Sequence, residues 1–454
     1  MSLVADVVAF LIGAGMLLII RIVGELPLSE LVVVIFCVPL AVMNRKRVFK
    51  RDLLWLYGMA GLWLAGQIVT DIYRHTEAAD WMRGDAMVVF FVLDIAFAFM
   101  LLSGNERRKL IYLTGMVLGA IAMVKLQPTE LALEYPWKFG YSMGVNTGVI
   151  LISSYFYTKR HYIVTLVLLL GICALNLSLN YRSPILNILI MMALTVPVVP
   201  EQIGRWTVLP SQGTRARLIV LLLLAAGASM AAGAAVNLVS RSGLLGDEAT
   251  TKNLSQANVR GGLLLGGRPE ILASSVAVVD SPILGHGSNP KDFKYVEILS
   301  DELYERGMEV QQDIDSIEEE TQGLIPTHSH LMGSWVSAGV LGALFWIYLW
   351  VMLGKSVIEY SVQRPAWSPI LVYVQVGMMW DILFSPFAGG RRMMEAFVVV
   401  VMFDALQKYR STAKAKNGPG TRGWRRHALQ LRPTTRGALP AAETNVGDTS
   451  SGRG

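Results

Sequence analysis

Two cysteines in 454 residues, Cys37 and Cys173, both inside apolar runs, leave nothing from which to build a disulfide framework or a cysteine-ligated zinc site. Charge is scarce too. Only 16% of residues are Asp, Glu, Lys or Arg, against 53% hydrophobic, and the mean hydropathy is +0.47. That balance is too apolar for an ordinary soluble protein and points to a bilayer. No basic region precedes the first apolar run, so it reads as a retained helix and not a cleaved signal peptide. No H-E-x-x-H occurs, and no clear repeat joins the first half to the second, which weakens a two-halves transporter. The net charge of +6 does not call for nucleic acid, because the excess Lys and Arg sit in short loops and in the tail after Leu406.

What the chain has in quantity is apolar runs. They lie near 3–23, 28–43, 53–70, 85–103, 110–126, 141–157, 161–179, 184–199, 218–238, 330–353, 367–386 and 393–407. Their lengths suit a hydrocarbon core. The expected fold is therefore all-α and polytopic, with about twelve transmembrane helices and a large periplasmic loop between the ninth and tenth. Short loops after even-numbered runs hold more than twice as many Lys and Arg as the others, which places both termini in the cytoplasm. The expected organisation is 1–238 for helices one to nine, 239–327 for the loop domain, 328–407 for helices ten to twelve, and 408–454 for a basic disordered tail that can lie on anionic membrane lipid. Within the loop, a helix is expected from Pro269 to the Ser281-Pro282 turn. Residues 301–320 carry nine acids against one Arg and read as a solvated helix or a mobile flap.

Histidine is also rare, six in all, yet "PTHSH" puts His328 and His330 at the head of an apolar run. His328 at such an interface reaches both water and lipid head groups, and an imidazole with an ordinary pKa of about 6.5 suits proton acceptance. A helix-capping or interfacial role is the bland alternative. His330 does not share its helical face, since residues two apart point in nearly opposite directions. A zinc site recruiting His286 lacks a ligand spacing. Four arginines stand on the same expected face: Arg182 in "NYRSP", Arg268 in "GGRPE", and the neighbours Arg391 and Arg392. Guanidinium groups bind phosphate oxygens in pairs and stay charged when partly desolvated, so two or three of these would suit a diphosphate. Anchoring to lipid phosphate accounts equally for Arg391 and Arg392. Asp94 and Asp381, acids within apolar runs, suit orienting an arginine. Arg74, and Arg83 within "DWMRGD", could touch substrate on the outer face, but read more readily as solvated loop residues.

Together these residues resemble the O-antigen ligase and polysaccharide polymerase superfamily. His328, Ser329, Gly339 and Gly342 fit its ligase signature; Arg268 heading a helix that runs into Pro282, Gly285 and Gly287 resembles its loop pattern. "NYRSP" is similar to its Ser-Arg turn, although Asn180 and Tyr181 replace the usual small hydroxyl residues. The resemblance implies a C-type, inverting, metal-independent glycosyltransferase without cofactor, at the bacterial inner membrane with its site on the periplasmic side. Its donor would be an undecaprenyl-diphosphate-linked glycan, with His328 as catalytic base and Arg268, Arg182, Arg391 and Arg392 on the diphosphate. The implied role is polymerisation of exopolysaccharide or O-antigen repeat units, with a chain-length regulator as a partner. A ligase acting on the lipid A core is the alternative within the family; a flippase or transporter, or a scaffold, the alternatives outside it.

Overall fold

The computed structural model describes residues 2–21, 25–179, 181–195, 268, 270–305 and 322–416. In chain order the helices are α1 (Ser2–Gly15), α2 (Leu28–Met43), α3 (Arg45–Val48), α4 (Arg51–Arg74), α5 (Ala78–Leu102), α6 (Glu106–Leu126), α7 (Glu130–Glu134), α8 (Ser142–Thr158), α9 (Tyr162–Ser178), α10 (Ser183–Thr195), α11 (Glu270–Asp280), α12 (Phe293–Glu305), α13 (His330–Gln363), α14 (Ser368–Phe384) and α15 (Gly389–Lys416). A short antiparallel hairpin, β1 (Ile19–Arg21) and β2 (Glu25–Pro27), joins α1 to α2, and a π-helical turn, Pro136–Tyr141, leads into α8. One compact unit spans 1–406 and a second spans 407–454. Within the second, the helix runs on to Lys416; the rest of the expected disordered tail lies outside the described residues.

The expectation of about twelve transmembrane helices is corrected. Among the described residues, four helices are long and apolar enough to cross a membrane: Arg51–Arg74, Ala78–Leu102, Glu106–Leu126 and His330–Gln363. The other apolar helices are shorter. The first run ends at Gly15, where the chain turns into the hairpin, and the second stops at Asn44 after a helix that already contains Pro39. An apolar run in a sequence counts turn and strand residues that a helix does not include. The expected run at 218–238 lies outside the described residues. The inner-membrane placement falls with the count, because cytoplasmic termini and a periplasmic loop and site were derived from twelve alternating crossings.

Packing is by long helix faces. α1 lies along α6, α4 along α13, and α13 along α14. At the centre Trp63 of α4, Phe91 of α5, Phe345 and Trp346 of α13 and Phe387 form a continuous ring cluster with centroids 5.0 to 6.1 Å apart. Offset and edge-on rings at such spacings add to the free energy of burial itself. A smaller apolar cluster of Ala273, Ala277, Val278, Tyr295, Ile325 and Val336 fastens α11 and α12 to α13.

The joint that positions the site is a break in α13. Gly339 adopts φ 64°, ψ −156°, a region open to glycine almost alone. Into the gap fits the turn after α11. Val340 N donates to Ile283 O at 3.2 Å, while His286 N and Gly287 N donate to Val336 O at 2.6 Å and Ser337 O at 3.1 Å. The turn thus satisfies the carbonyls and amide that the broken helix leaves without partners. Gly285 has φ 82° and sits so close that a Cβ would lie 2.7 Å from Gly339 N and from Val336 O. The end of α4 grips the same turn from the other side: Arg74 donates to Gly285 O at 2.9 and 3.1 Å, and Asp71 accepts from Ser288 N and Oγ, each at 2.6 Å. Arg74, expected to be a solvated loop residue, is therefore a structural clamp.

A Cβ at residue 339 would collide with Ile283 O. Gly339→Ala is expected to lower stability by roughly 1 to 3 kcal/mol from backbone strain alone, read as a fall in thermal midpoint; an unchanged midpoint would mean that this joint carries no stability.

Candidate functional site

His328 stands two residues before α13, held by the cap that follows it. Ser329 Oγ accepts from Met332 N at 3.1 Å and donates to Ile382 O at 2.9 Å, tying the start of α13 to the end of α14. An N-cap serine satisfies a first-turn amide in this way. The approach is fixed upstream, where Asp292 N donates to Gly323 O at 2.8 Å and Ile325 N to Pro290 O at 2.9 Å. His328 is left half-buried outside the helix.

Four groups from four places act on its charge: Glu270 in the first turn of α11, Arg268 just before it, Arg391 in the first turn of α15, and Lys138 in the π turn. Burial pushes the His328 imidazole below its ordinary value; Glu270 pulls it back up, and Arg268, Arg391 and Lys138 push it down again. The net direction is down, so the ring is held as the neutral base near neutral pH. Asp381, at the end of α14, pairs with Arg391 at 2.8 Å and so fixes where that guanidinium stands. Arg182 precedes α10, with its guanidinium pushed down by burial, and the neighbouring Tyr181 lies in the electrostatic field of Arg391.

Two expected residues are placed elsewhere. Arg392 is turned into the core, where Nε and Nη2 donate to the two carboxylate oxygens of Glu30 at 2.8 and 2.6 Å. A guanidinium committed to both oxygens of a buried carboxylate cannot also hold a diphosphate, so that role is corrected for Arg392. Asp94 is fully buried beside this pair and does not reach Asp381 or Arg391's side of the bundle through any described contact. His330, two residues past His328, is wholly buried: its Nδ1 donates to Ser385 O at 2.6 Å, its Nε2 meets Glu395 Oε1 at 2.7 Å, and Trp346 and Phe387 flank the ring. His286 Nε2 meets Ala277 O at 2.8 Å. Pro282, Gly285, Gly287, Gly339 and Gly342 belong to the backbone joint, not to the charged cluster; Pro282 O accepts from Trp335 Nε1 at 2.9 Å, and a Cβ at Gly342 would collide with Ser334 O. Among the described residues no three His, Cys, Asp or Glu are grouped as a metal site would need.

Sequence reasoning missed Glu270 and Lys138. Glu270 was open to notice as the acid two residues past Arg268; Lys138 carried no local signal, since it reaches His328 only through the packing of distant segments.

Two outcomes are expected. In a histidine-resolved NMR titration, the His328 signal should titrate below about 6.5; Arg268→Ala or Arg391→Ala should move it up and Glu270→Gln down, and no movement in any of them would dissolve the cluster. Separately, Arg392→Ala should cost about 3 to 5 kcal/mol of stability, because it strands Glu30 in the core. Arg391→Ala should cost at most about 1 kcal/mol, because its side chain is 44% exposed. Equal losses in denaturant titrations of the two variants would refute that division.

No family model matches the chain, and neither a curated protein nor a solved structure is found to be similar to it. The O-antigen ligase signature is thus not found as a family match. The expected inner-membrane polymerase of undecaprenyl-diphosphate-linked repeat units, with its ligase and flippase alternatives, is overturned along with the twelve-span architecture it presupposed, because the described residues supply four helices of spanning length.

Proposed function

We propose that this chain is a metal-independent inverting transferase that moves a group, of glycosyl type by its motif resemblance, from a phosphate-linked donor to a hydroxyl acceptor. One observation carries the reading: a half-buried histidine, biased towards its neutral form, shares its surroundings with Arg268, Arg391 and Lys138. A neutral imidazole accepts a proton; a set of cations receives negative charge.

The step balances with those groups. The acceptor oxygen forms a bond to the transferred carbon as His328 takes the hydroxyl proton, and the bond from that carbon to the phosphate oxygen breaks, its electron pair leaving on the phosphate. Arg391, oriented by Asp381 at 2.8 Å, and Arg268 then face the added charge. Phosphate is a competent leaving group when its charge is met, so guanidinium groups supply the electrostatic stabilisation that a metal supplies in other enzymes. Glu270 keeps the imidazole from being driven too acidic to hold the proton it takes. Arg182 is a further candidate cation for the same anion.

The test is release of the phosphate leaving group from a panel of sugar phosphates and sugar diphosphates by the purified protein in chelator, with thermal midpoints measured alongside. His328→Ala is expected to lose about 10²- to 10⁴-fold in rate, and Arg268→Ala about 10²- to 10³-fold, at unchanged midpoints. Full activity in the His328→Ala protein, or no release by the unmodified protein from any donor, would reject the reading.

A further inference from the structure

A second charged group lies inside the bundle, built from Glu30 of α2, Asp94 of α5 and Arg392 of α15. Both Glu30 oxygens accept from Arg392, whose guanidinium also lies 5.6 Å from the Phe90 ring centre. Asp94 is different. It is 0% exposed, and neither of its carboxyl oxygens accepts from a donor group, while the Glu30 carboxyl lies within hydrogen-bonding reach and Arg392 acts on it as well. The other titratable groups whose charge interacts with Asp94 are Cys37 from α2 and Tyr112 from α6, with Tyr57 of α4 beside Cys37. None of these brings a positive charge.

The charge count is therefore short by one. Two ionised carboxylates and one guanidinium leave a net negative charge away from water, a state so costly that buried groups neutralise instead. Two carboxylates that face each other are also both acceptors, and they can bond only when one of them carries a hydrogen. A hard metal ion would want six or more oxygen ligands, and only two carboxyl groups meet here.

We propose that Asp94, Glu30 and Arg392 form a buried proton-binding site, in which one proton held on Asp94 balances the group and bridges it to Glu30, whose two oxygens keep Arg392. The site is separate from His328 and does not depend on the transferase reading. Its structural consequence is local: with Asp94 neutral, Arg392 has a single carboxylate partner, and the first turn of α15, which also carries Arg391, is held in one place.

Infrared spectroscopy of the full-length protein at neutral pH tests this. A protonated-carboxyl C=O band is expected that moves in heavy water, moves again when the protein is grown with isotope-labelled aspartate, disappears in Asp94→Asn and persists in Asp381→Asn. Because an amide mimics a neutral acid, Asp94→Asn should melt with the unmodified protein. Absence of the band in the unmodified protein, or a band that ignores the aspartate label and so belongs to glutamate, would overturn the proposal, as would a thermal midpoint that climbs with sodium concentration while no band is seen. The labelled unmodified protein is decisive even where the variant fails to fold.

Discussion

Gly339 has no Cβ, and the two segments that meet there could not meet if it had one. A helix of this length would ordinarily run unbroken, each amide bonded to the carbonyl four residues back. Here the ladder is interrupted, and the turn at 283–287 supplies the missing partners: Ile283 O for the amide of Val340, and the amides of His286 and Gly287 for Val336 O and Ser337 O. The exchange is nearly neutral in hydrogen bonds, since each group that loses a helical partner gains one from the turn. What it gains is position. The turn follows α11, so locking it into α13 draws Glu270 and Arg268, at the other end of α11, towards the head of α13 where His328 stands.

The charged groups of the bundle then divide by surroundings. Around His328, half-buried, three cations and one acid leave the imidazole neutral and the site rich in positive charge. Two residues on, His330 sits in an aromatic pocket with both ring nitrogens engaged, by Ser385 and Glu395. Near-identical sequence surroundings give one histidine an aqueous outlook and the other none. The same holds for Arg391 and Arg392, adjacent on α15 yet turned to opposite sides, one to Asp381 and the other to Glu30. Adjacent residues on a helix point about 100° apart, and that angle separates a cation that can meet a ligand from one that stabilises the core.

Some of this was legible in the residues. The helix expected from Pro269 to the Ser281-Pro282 turn is observed as Glu270–Asp280, because a proline start and a proline stop bracket an apolar, amphipathic stretch. The capping role weighed for His328 falls instead to Ser329, the next residue along. The twelve spans could not be sustained, because apolarity along a sequence marks burial without saying whether lipid or another helix does the burying. Ile370, Val372 and Val374 of α14, a helix too short to cross, are for example buried against neighbouring helices.

The sequence by itself determined an apolar helical protein with a His328-Ser329 start, a glycine-bearing turn, and arginines in excess near it. These are local matters of composition, capping and backbone freedom, set by residues within a few positions of one another. Only the tertiary structure decided that Arg268 and Arg391 act on His328, that Glu270 and Lys138 join them, and that Glu30 claims Arg392 and leaves Asp94 beside a carboxylate with no cation of its own. Those pairings connect residues far apart in the chain, and side chains so separated meet only through the packing of whole helices, which no local pattern encodes.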